Sequence, residues 1–146
     1  MNKNIIIKLL DYDSDDYKKT VSLRYEILRK PLGLKFSDKQ LEQEYSDFHF
    51  GCFINDKLVG CLILSSIDKN VIRMRQVAVE KKYQGKQIGT ILVKYSEEFA
   101  KRKGYNKMVL HAREVAVKFY LKLEYEIVGE KFIEIGLTHF KMKKEL

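Results

Sequence analysis

The sequence predicts an α+β fold, with a mixed central sheet of about seven strands flanked by about four helices. Three observations carry this. Strand-like and helix-like apolar patterns follow one another in the order β-α-α-β-β-β-α-β-α-β-β, which fits neither an all-β chain nor strict β/α alternation. The 146 residues, 45% hydrophobic and 33% charged, suit one domain over residues 1–146 with a core of its own. The segment Val71 to Thr90, VIRMRQVAVEKKYQGKQIGT, passes from a strand through a glycine-containing polar turn into the clearest helix of the chain.

Ile5 to Leu10 reads as the first strand. Met1 to Leu10 has only a short apolar run interrupted by Lys8, with no small-residue cleavage site, and so does not read as a signal peptide. Asp13 or Ser14 caps a helix whose apolar positions Tyr17, Val21, Tyr25 and Leu28 share a face, and Pro31 and Gly33 end it. Ser37 and Gln40 form a capping-box pattern for a shorter helix through about Tyr45.

A meander follows. Gly51 to Ile54 and Leu58 to Ser65 are strands around an Asn55-Asp56-Lys57 turn, and Asp68-Lys69-Asn70 turns the chain into the strand beginning at Val71. If the Asn55-to-Leu58 turn is a two-residue hairpin, Cys52 and Cys61 fall opposite each other; two buried free thiols in a reducing cytosol is the preferred reading.

In the helix from about Gln87 to Lys103, Ile88, Ile91, Leu92, Tyr95 and Phe99 recur at helical spacing. Its outer face carries Glu97 four before Lys101 and Glu98 four before Arg102, and Gly104 stops it. Lys107 to His111 is a fifth strand, and Glu114 to Glu124 a helix with Ala116, Phe119, Tyr120 and Leu123 along one side. Glu126 to Ile135 and Thr138 to Lys143 form a last hairpin around Gly136.

A strand that runs through a polar turn into a helix N-terminus makes an anion site, because the first N–H groups of the helix have no internal partner. Lys81, Lys82 and Lys86 add charge there. The P-loop does not fit, since Glu80 stands where its first glycine belongs and no Ser or Thr follows Lys86. Gly85 and Gly89 cannot be fitted to the dinucleotide fingerprint G-x-G-x-x-G.

What does fit is the pyrophosphate loop of the GNAT acetyltransferase superfamily, a hydrophobic strand followed by Q/R-x-x-G-x-G/A and a helix. Gln76-Val77-Ala78-Val79 resembles the strand, Gln84 the first position and Gly89 the last, with Gln87 in place of the middle glycine. A second motif, N-x-x-A-x-x-F-Y-x-x-x-G-F, is matched by Ala116, Phe119 and Tyr120; Arg113 replaces Asn, Glu124 replaces Gly and Tyr125 replaces Phe. Leu23 to Arg29 with Pro31-Leu32-Gly33, and Phe132 to His139, also look like small single-domain bacterial acetyltransferases. The resemblance spans essentially the whole chain and implies the GNAT fold.

The same resemblance implies acetyl-CoA as acyl donor, a small-molecule or peptide primary amine as acceptor, and no metal. The donor-binding residues carried over are Val77, Ala78, Val79, Gln84, Gly85, Lys86, Gln87, Gly89, Thr90, Arg113 and Phe119. Gln87 is tolerable if its position already has helical φ/ψ with the side chain pointing away. The loss of glycine at Glu124 removes the easiest left-handed helix stop, at a cost of ~1 kcal/mol. The fourth and fifth strands splay apart in the family, so that Val77 and Val79 can pair with the amide-rich pantetheine arm. A backbone N–H near Val77 polarises the thioester carbonyl.

Tyr120 is the candidate proton donor to the departing thiolate, against the plainer reading of a core aromatic. No carboxylate lies between Val71 and Val79 to act as base, which leaves His111 or a bound water. Arg29, Glu134 and His139 are the candidate acceptor residues.

The net charge of +8 favours an anionic partner. Lys101-Arg102-Lys103 and the Lys141 to Lys144 run lack any RRM, KH or zinc-finger context, so nucleic acid is not the expected partner. No run approaches the ~18 apolar residues of a membrane span, and a cytoplasmic location is expected. The rival to an enzyme is a non-catalytic module that holds acyl-CoA or another anion. The acceptor's identity and the oligomeric state, a homodimer included, are left open.

Overall fold

The computed structural model describes residues 4–146; residues 1–3, part of the stretch weighed against a signal peptide, lie outside the described residues. The strands are β1 (Ile5–Leu10), β2 (Phe48–Ile54), β3 (Lys57–Ser66), β4 (Val71–Val79), β5 (Lys107–Arg113), β6 (Glu126–Ile127), β7 (Phe132–Glu134) and β8 (Leu137–Glu145). The helices are α1 (Asp15–Arg24), α2 (Asp38–Glu42), α3 (Ile88–Arg102) and α4 (Val117–Lys122). The strands form one mixed sheet in the order β1-β2-β3-β4-β5-β8-β6, with β7 also on β8. Every neighbouring pair is antiparallel except β4 and β5. This is the predicted α+β architecture. The predicted final strand Glu126 to Ile135 is broken into β6 and β7, with Gly129 at φ 74° between them.

Alternate residues of β2 divide between the two faces of the sheet, as strand geometry requires. Phe50, Cys52 and Ile54 join Leu92 and Phe99 of α3 in the main core, while the ring of His49 meets that of Tyr17 on α1 at 4.9 Å. Leu62, Leu64, Ile72, Met108, Leu110 and Met142 complete the core beneath α3 and α4.

Several local expectations hold at the level of hydrogen bonds. Ser14 caps α1 by accepting from Tyr17 N, and Ser37 and Gln40 form both bonds of the capping box. Glu124 adopts φ 73°, the left-handed stop foreseen for a position without glycine.

Others are corrected. The buried face of α1 is Tyr17, Thr20 and Arg24, not the row through Val21, Tyr25 and Leu28. Arg24 turns inward because Glu44 supplies a buried carboxylate. After Arg24 the helix widens into a five-residue π-helical turn, Tyr25–Arg29, before Lys30–Leu32 and Gly33 end it. Glu97 does not lie on the outer face of α3: it is buried, accepting from Tyr125 Oη at 2.7 Å and Lys144 Nζ at 3.0 Å. Lys101 pairs instead with Glu98 at 3.5 Å.

Cys52 and Cys61 are both buried and free, and they are not directly opposite. Asn55 and Asp56, at φ 49° and 68°, supply the left-handed pair of a type I′ turn one residue earlier than expected. A bulge after Cys52 then places Cys52 opposite Gly60 and Cys61 opposite Gly51.

Candidate active site

The parallel pairing of β4 with β5 runs from Val71–Lys107 to Met74–Leu110 and ends there. The cause lies in β4. On its other side β3 pairs Cys61 with Ala78 but Ile63 with Arg75, so β4 holds an extra residue, and Gln76 sits at φ 55°. A bulge of this kind bends its strand and re-aims side chains. β5 continues against β8 up to Arg113–His139. Between the diverging strands lies a cavity of about 440 Å³, lined by Gln76 and Val77 on one side, Leu110 and Ala112 on the other, and Ala116 and Tyr120 of the following turn and helix. The expected splay is present.

The loop after β4 leads to the start of α3. Lys81–Tyr83 form a 3-10 turn, and Gln84 donates its Nε2 to Val79 O at 2.9 Å, tying the loop to the strand end. Gly85 has φ 75°, with open space where a Cβ would stand, so conformation alone calls for glycine there. Gln87 is the residue before α3 and has φ 71°, ψ 5°. The condition under which Gln87 would be tolerated without strain, helical φ/ψ, is therefore not met: the position has a left-handed backbone, the conformation that favours glycine. Gly89, one turn-start later, faces Phe119; a Cβ there would come within 3.2 Å of the ring. Phe119 thus braces the helix start against α4, and Thr90 follows in the first turn of α3. Lys86 lies 5.9 Å from the Tyr83 ring centre.

Tyr120 belongs both to the core and to the cavity wall. It is 7% exposed, stacks edge-on with Phe119 and Tyr125, and yet lines the cavity. Burial pushes its hydroxyl well above the usual phenol range, so it holds its proton at neutral pH.

The three acceptor candidates Arg29, Glu134 and His139 come together on this cavity, from the turn after α1, β7 and β8. Arg113, grouped by motif with the donor loop, lies there too, donating to Leu28 O at 2.9 Å. His111 Nδ1 is 2.9 Å from Glu134 Oε2 and 3.0 Å from Arg73 Nη2. Burial first, then Arg73, pull its pKa below the usual imidazole value, with Glu134 opposing. His139 Nδ1 donates to Leu137 O at 2.9 Å, which fixes its ring. Of the donor candidates, Val77 and Arg113 line the cavity, Ala78 and Val79 carry β4 on past the bulge, and Gln84 to Thr90 form the loop and helix start.

Sequence reasoning missed Arg73, Arg75 and Gln76, which also line the cavity. A signal was available. Two arginines alternating along an otherwise apolar central strand point to one face, where a buried sheet should carry hydrophobic residues.

This geometry meets clear likenesses among known proteins. Residues 9–125 match the family model described as Acetyltransferase (GNAT) family. The chain belongs to the GNAT acetyltransferase family. The enzyme class expected from the loop, a GNAT N-acetyltransferase, is accordingly borne out. Among relatives, the uncharacterized protein YyaT of Bacillus subtilis is 35% identical over 74 residues, 51% of this chain and 50% of YyaT, so the match spans about half the length of that protein. The uncharacterized N-acetyltransferase YjcF of the same organism is 25% identical, covering 91% of this chain and 95% of YjcF. The crystal structure of a candidate N-acetyltransferase from Lactobacillus plantarum superposes with a TM-score of 0.85 at 21% identity, covering 97% of this chain and 98% of that one. An aminoglycoside 6'-N-acetyltransferase complexed with coenzyme A gives a TM-score of 0.78 at 20% identity, covering 96% of each chain. At these identities the structures establish the GNAT fold. Among the described residues no helix is long and apolar enough to cross a membrane.

Proposed function

We propose that this GNAT protein transfers the acetyl group of acetyl-CoA to a primary amine of a small molecule or peptide, with Tyr120 as proton donor to the leaving sulfur. The observation that carries this is the opening between β4 and β5 at the Gln76 bulge, with Tyr120 in its wall. The chain fits the donor at two places. Gly85 and Gln87, both left-handed, fold the loop against the start of α3, where N–H groups without intrahelical partners favour a pyrophosphate. Past Met74, β4 has no β5 partner along its edge, which suits an amide-bearing arm. A relative of the same fold is complexed with coenzyme A.

Acetyl-CoA supplies the activated acyl group: the amine nitrogen bonds to the carbonyl carbon, the carbon–sulfur bond breaks and the sulfur takes a proton. Tyr120 gives that proton from its buried hydroxyl. Val77, just past the bulge, offers a backbone N–H to the carbonyl oxygen. His111, kept neutral by burial and Arg73 and with its Nδ1–H donating to Glu134, accepts on Nε2 the proton that the amine loses, and Glu134 stabilises the imidazolium formed. Arg113 and Phe119 act on the site by bracing Leu28 and the start of α3 respectively. The buried free thiols Cys52 and Cys61 are in keeping with a reducing, cytoplasmic setting.

The test is thiol release from acetyl-CoA across an amine panel, alongside the melting temperature with CoA. The proposal expects CoA to raise the melting temperature by mass action and at least one amine to release thiol. An unmoved melting curve overturns the donor assignment; a raised one without thiol release from any amine makes the protein a holder of CoA.

A further inference from the structure

Four guanidinium groups, those of Arg29, Arg73, Arg75 and Arg113, line the cavity with one carboxylate, that of Glu134. They arrive from three places: the π-helical turn after α1, β4 and the end of β5. Arg75 has partners, Asp47 at 3.6 Å and Ser65 Oγ at 3.3 Å. The others lack carboxylates: among the described residues the arginines that form ion pairs are Arg24 and Arg75, not Arg29, Arg73 or Arg113. Arg113 and Arg29 both reach the single carbonyl of Leu28, at 2.9 and 3.4 Å. Arg29 also lies over the Phe36 ring at 4.6 Å, which holds its plane in place. Arg73 Nη2 lies 3.0 Å from His111 Nδ1, and its buried Nε has no hydrogen-bond partner.

Like charges gathered in a half-buried cavity repel one another. Burial leads in pulling each of the three below its ordinary pKa; the neighbouring arginines add to it at Arg29 and Arg73. A bound anion relieves this, and a planar guanidinium matches a carboxylate through two parallel hydrogen bonds. The unpartnered Nε of Arg73 is one half of such a fork. Glu134, in the same cavity, serves the opposite end of a substrate: it attracts an ammonium group and, with His111, sits where that group must lose its proton. It also disfavours a dianion relative to a monoanion. Acceptors carrying several positive charges meet four guanidinium groups and are repelled.

We propose that the acceptor is an amine that also carries a carboxylate, an amino acid or amino-acid-like molecule, whose carboxylate is bound by Arg73 and Arg29 while its amine faces Glu134 and His111. This rests on the acetyl-transfer reading for its chemistry, but not for its binding.

The experiment has a kinetic and a binding arm. Thiol release from acetyl-CoA is measured with the standard amino acids, β-alanine and γ-aminobutyrate, with their carboxamides, with O-phosphoethanolamine, and with spermidine and kanamycin. The expected result is that acids exceed their own carboxamides in kcat/KM by about 100-fold. Arg73→Gln should lower kcat/KM for the acid by ~10–100-fold more than for its carboxamide, the excess lying mainly in KM, whatever change in the proton path through His111 the two substrates share. Arg73→Lys should restore only part, having charge without the fork. If Arg73→Gln fails to fold on a melting curve, Arg29→Gln takes its place with the same expectation. Equal rates on acids and carboxamides, or a preference for spermidine, kanamycin or O-phosphoethanolamine, overturn the proposal.

The binding arm separates its failure from that of the acetyl-transfer reading. With CoA in place of acetyl-CoA, the best acid should raise the melting temperature of wild type but not of Arg73→Gln, and the carboxamide should not, whether or not any amine is acetylated. No shift with any acid overturns the carboxylate site even if turnover is found.

Discussion

The guanidinium of Arg24 and the carboxylate of Glu44 meet as a bidentate pair, Nη1 to Oε1 at 2.9 Å and Nη2 to Oε2 at 2.7 Å, with Arg24 wholly buried and Glu44 3% exposed. Tyr17 Oη donates to the same Oε1 at 2.9 Å. The pair fastens the end of α1, and therefore Leu28 and Arg29, to the segment that follows α2. Removing one partner of a buried pair leaves the other charge unpaired, at a cost of ~3–5 kcal/mol. Glu44→Gln should lose about that much in urea unfolding, and the double change Arg24→Met with Glu44→Leu should recover most of it. A single-variant loss below ~1 kcal/mol would show that the pair does not hold the helix end.

His49 makes stability depend on pH. Its ring is 2% exposed and its Nε2 donates to Glu44 O at 2.8 Å. Burial pulls its pKa below the usual value, against the smaller opposing effect of that hydrogen bond. The unfolded chain takes up the proton at ~6.5, so this stabilisation is present above that pH and is lost as pH falls from there towards the lower folded value. The urea midpoint should drop between pH ~7.5 and ~5.5, and His49→Gln should flatten that slope. An unchanged slope in the variant would assign the pH dependence elsewhere.

His111 carries a kinetic counterpart. With its pKa lowered by burial and Arg73, the acid limb of kcat/KM should lie below the usual imidazole value of ~6.5. Arg73→Gln removes a lowering influence and should move the limb upward. A limb that stays in place in that variant would remove His111 from the proton path.

Gln87 at φ 71° stands in a conformation that costs an L-residue ~1–2 kcal/mol. Gln87→Gly should therefore stabilise the fold by ~1 kcal/mol and should not weaken CoA binding. Loss of stability would mean that the Gln87 side chain contributes more than its backbone strain costs. Gly89→Glu should weaken CoA binding, though its bulk also meets Phe119, so Gly89→Ala is the packing control.

What the sequence made legible was local. The Ser37 to Gln40 capping box, the Gly33 and Gly104 stops and the strand–loop–helix from Val71 onward are written in neighbouring residues, where caps and turns impose particular residue types. Arg29, Glu134 and His139 were found through family resemblance and do share one cavity. What was not legible depended on residues far apart. Glu97 reads as surface until Tyr125 and Lys144, 28 and 47 positions away, fold over it. Arg24 breaks the helical apolar pattern because its partner is 20 residues on. The Gln76 bulge has no glycine to announce it, although it is what opens the site.

The central claim is that this cavity performs acetyl transfer with Tyr120 as proton donor. Tyr120→Phe keeps the ring against Phe119 and Tyr125 and deletes only the hydroxyl. The decisive measurement is kcat for wild type and Tyr120→Phe with one working amine, beside melting curves and CoA affinity for both. The account predicts unchanged folding and CoA affinity with kcat lower by ~10²–10⁴. Undiminished kcat in a folded Tyr120→Phe protein would contradict it.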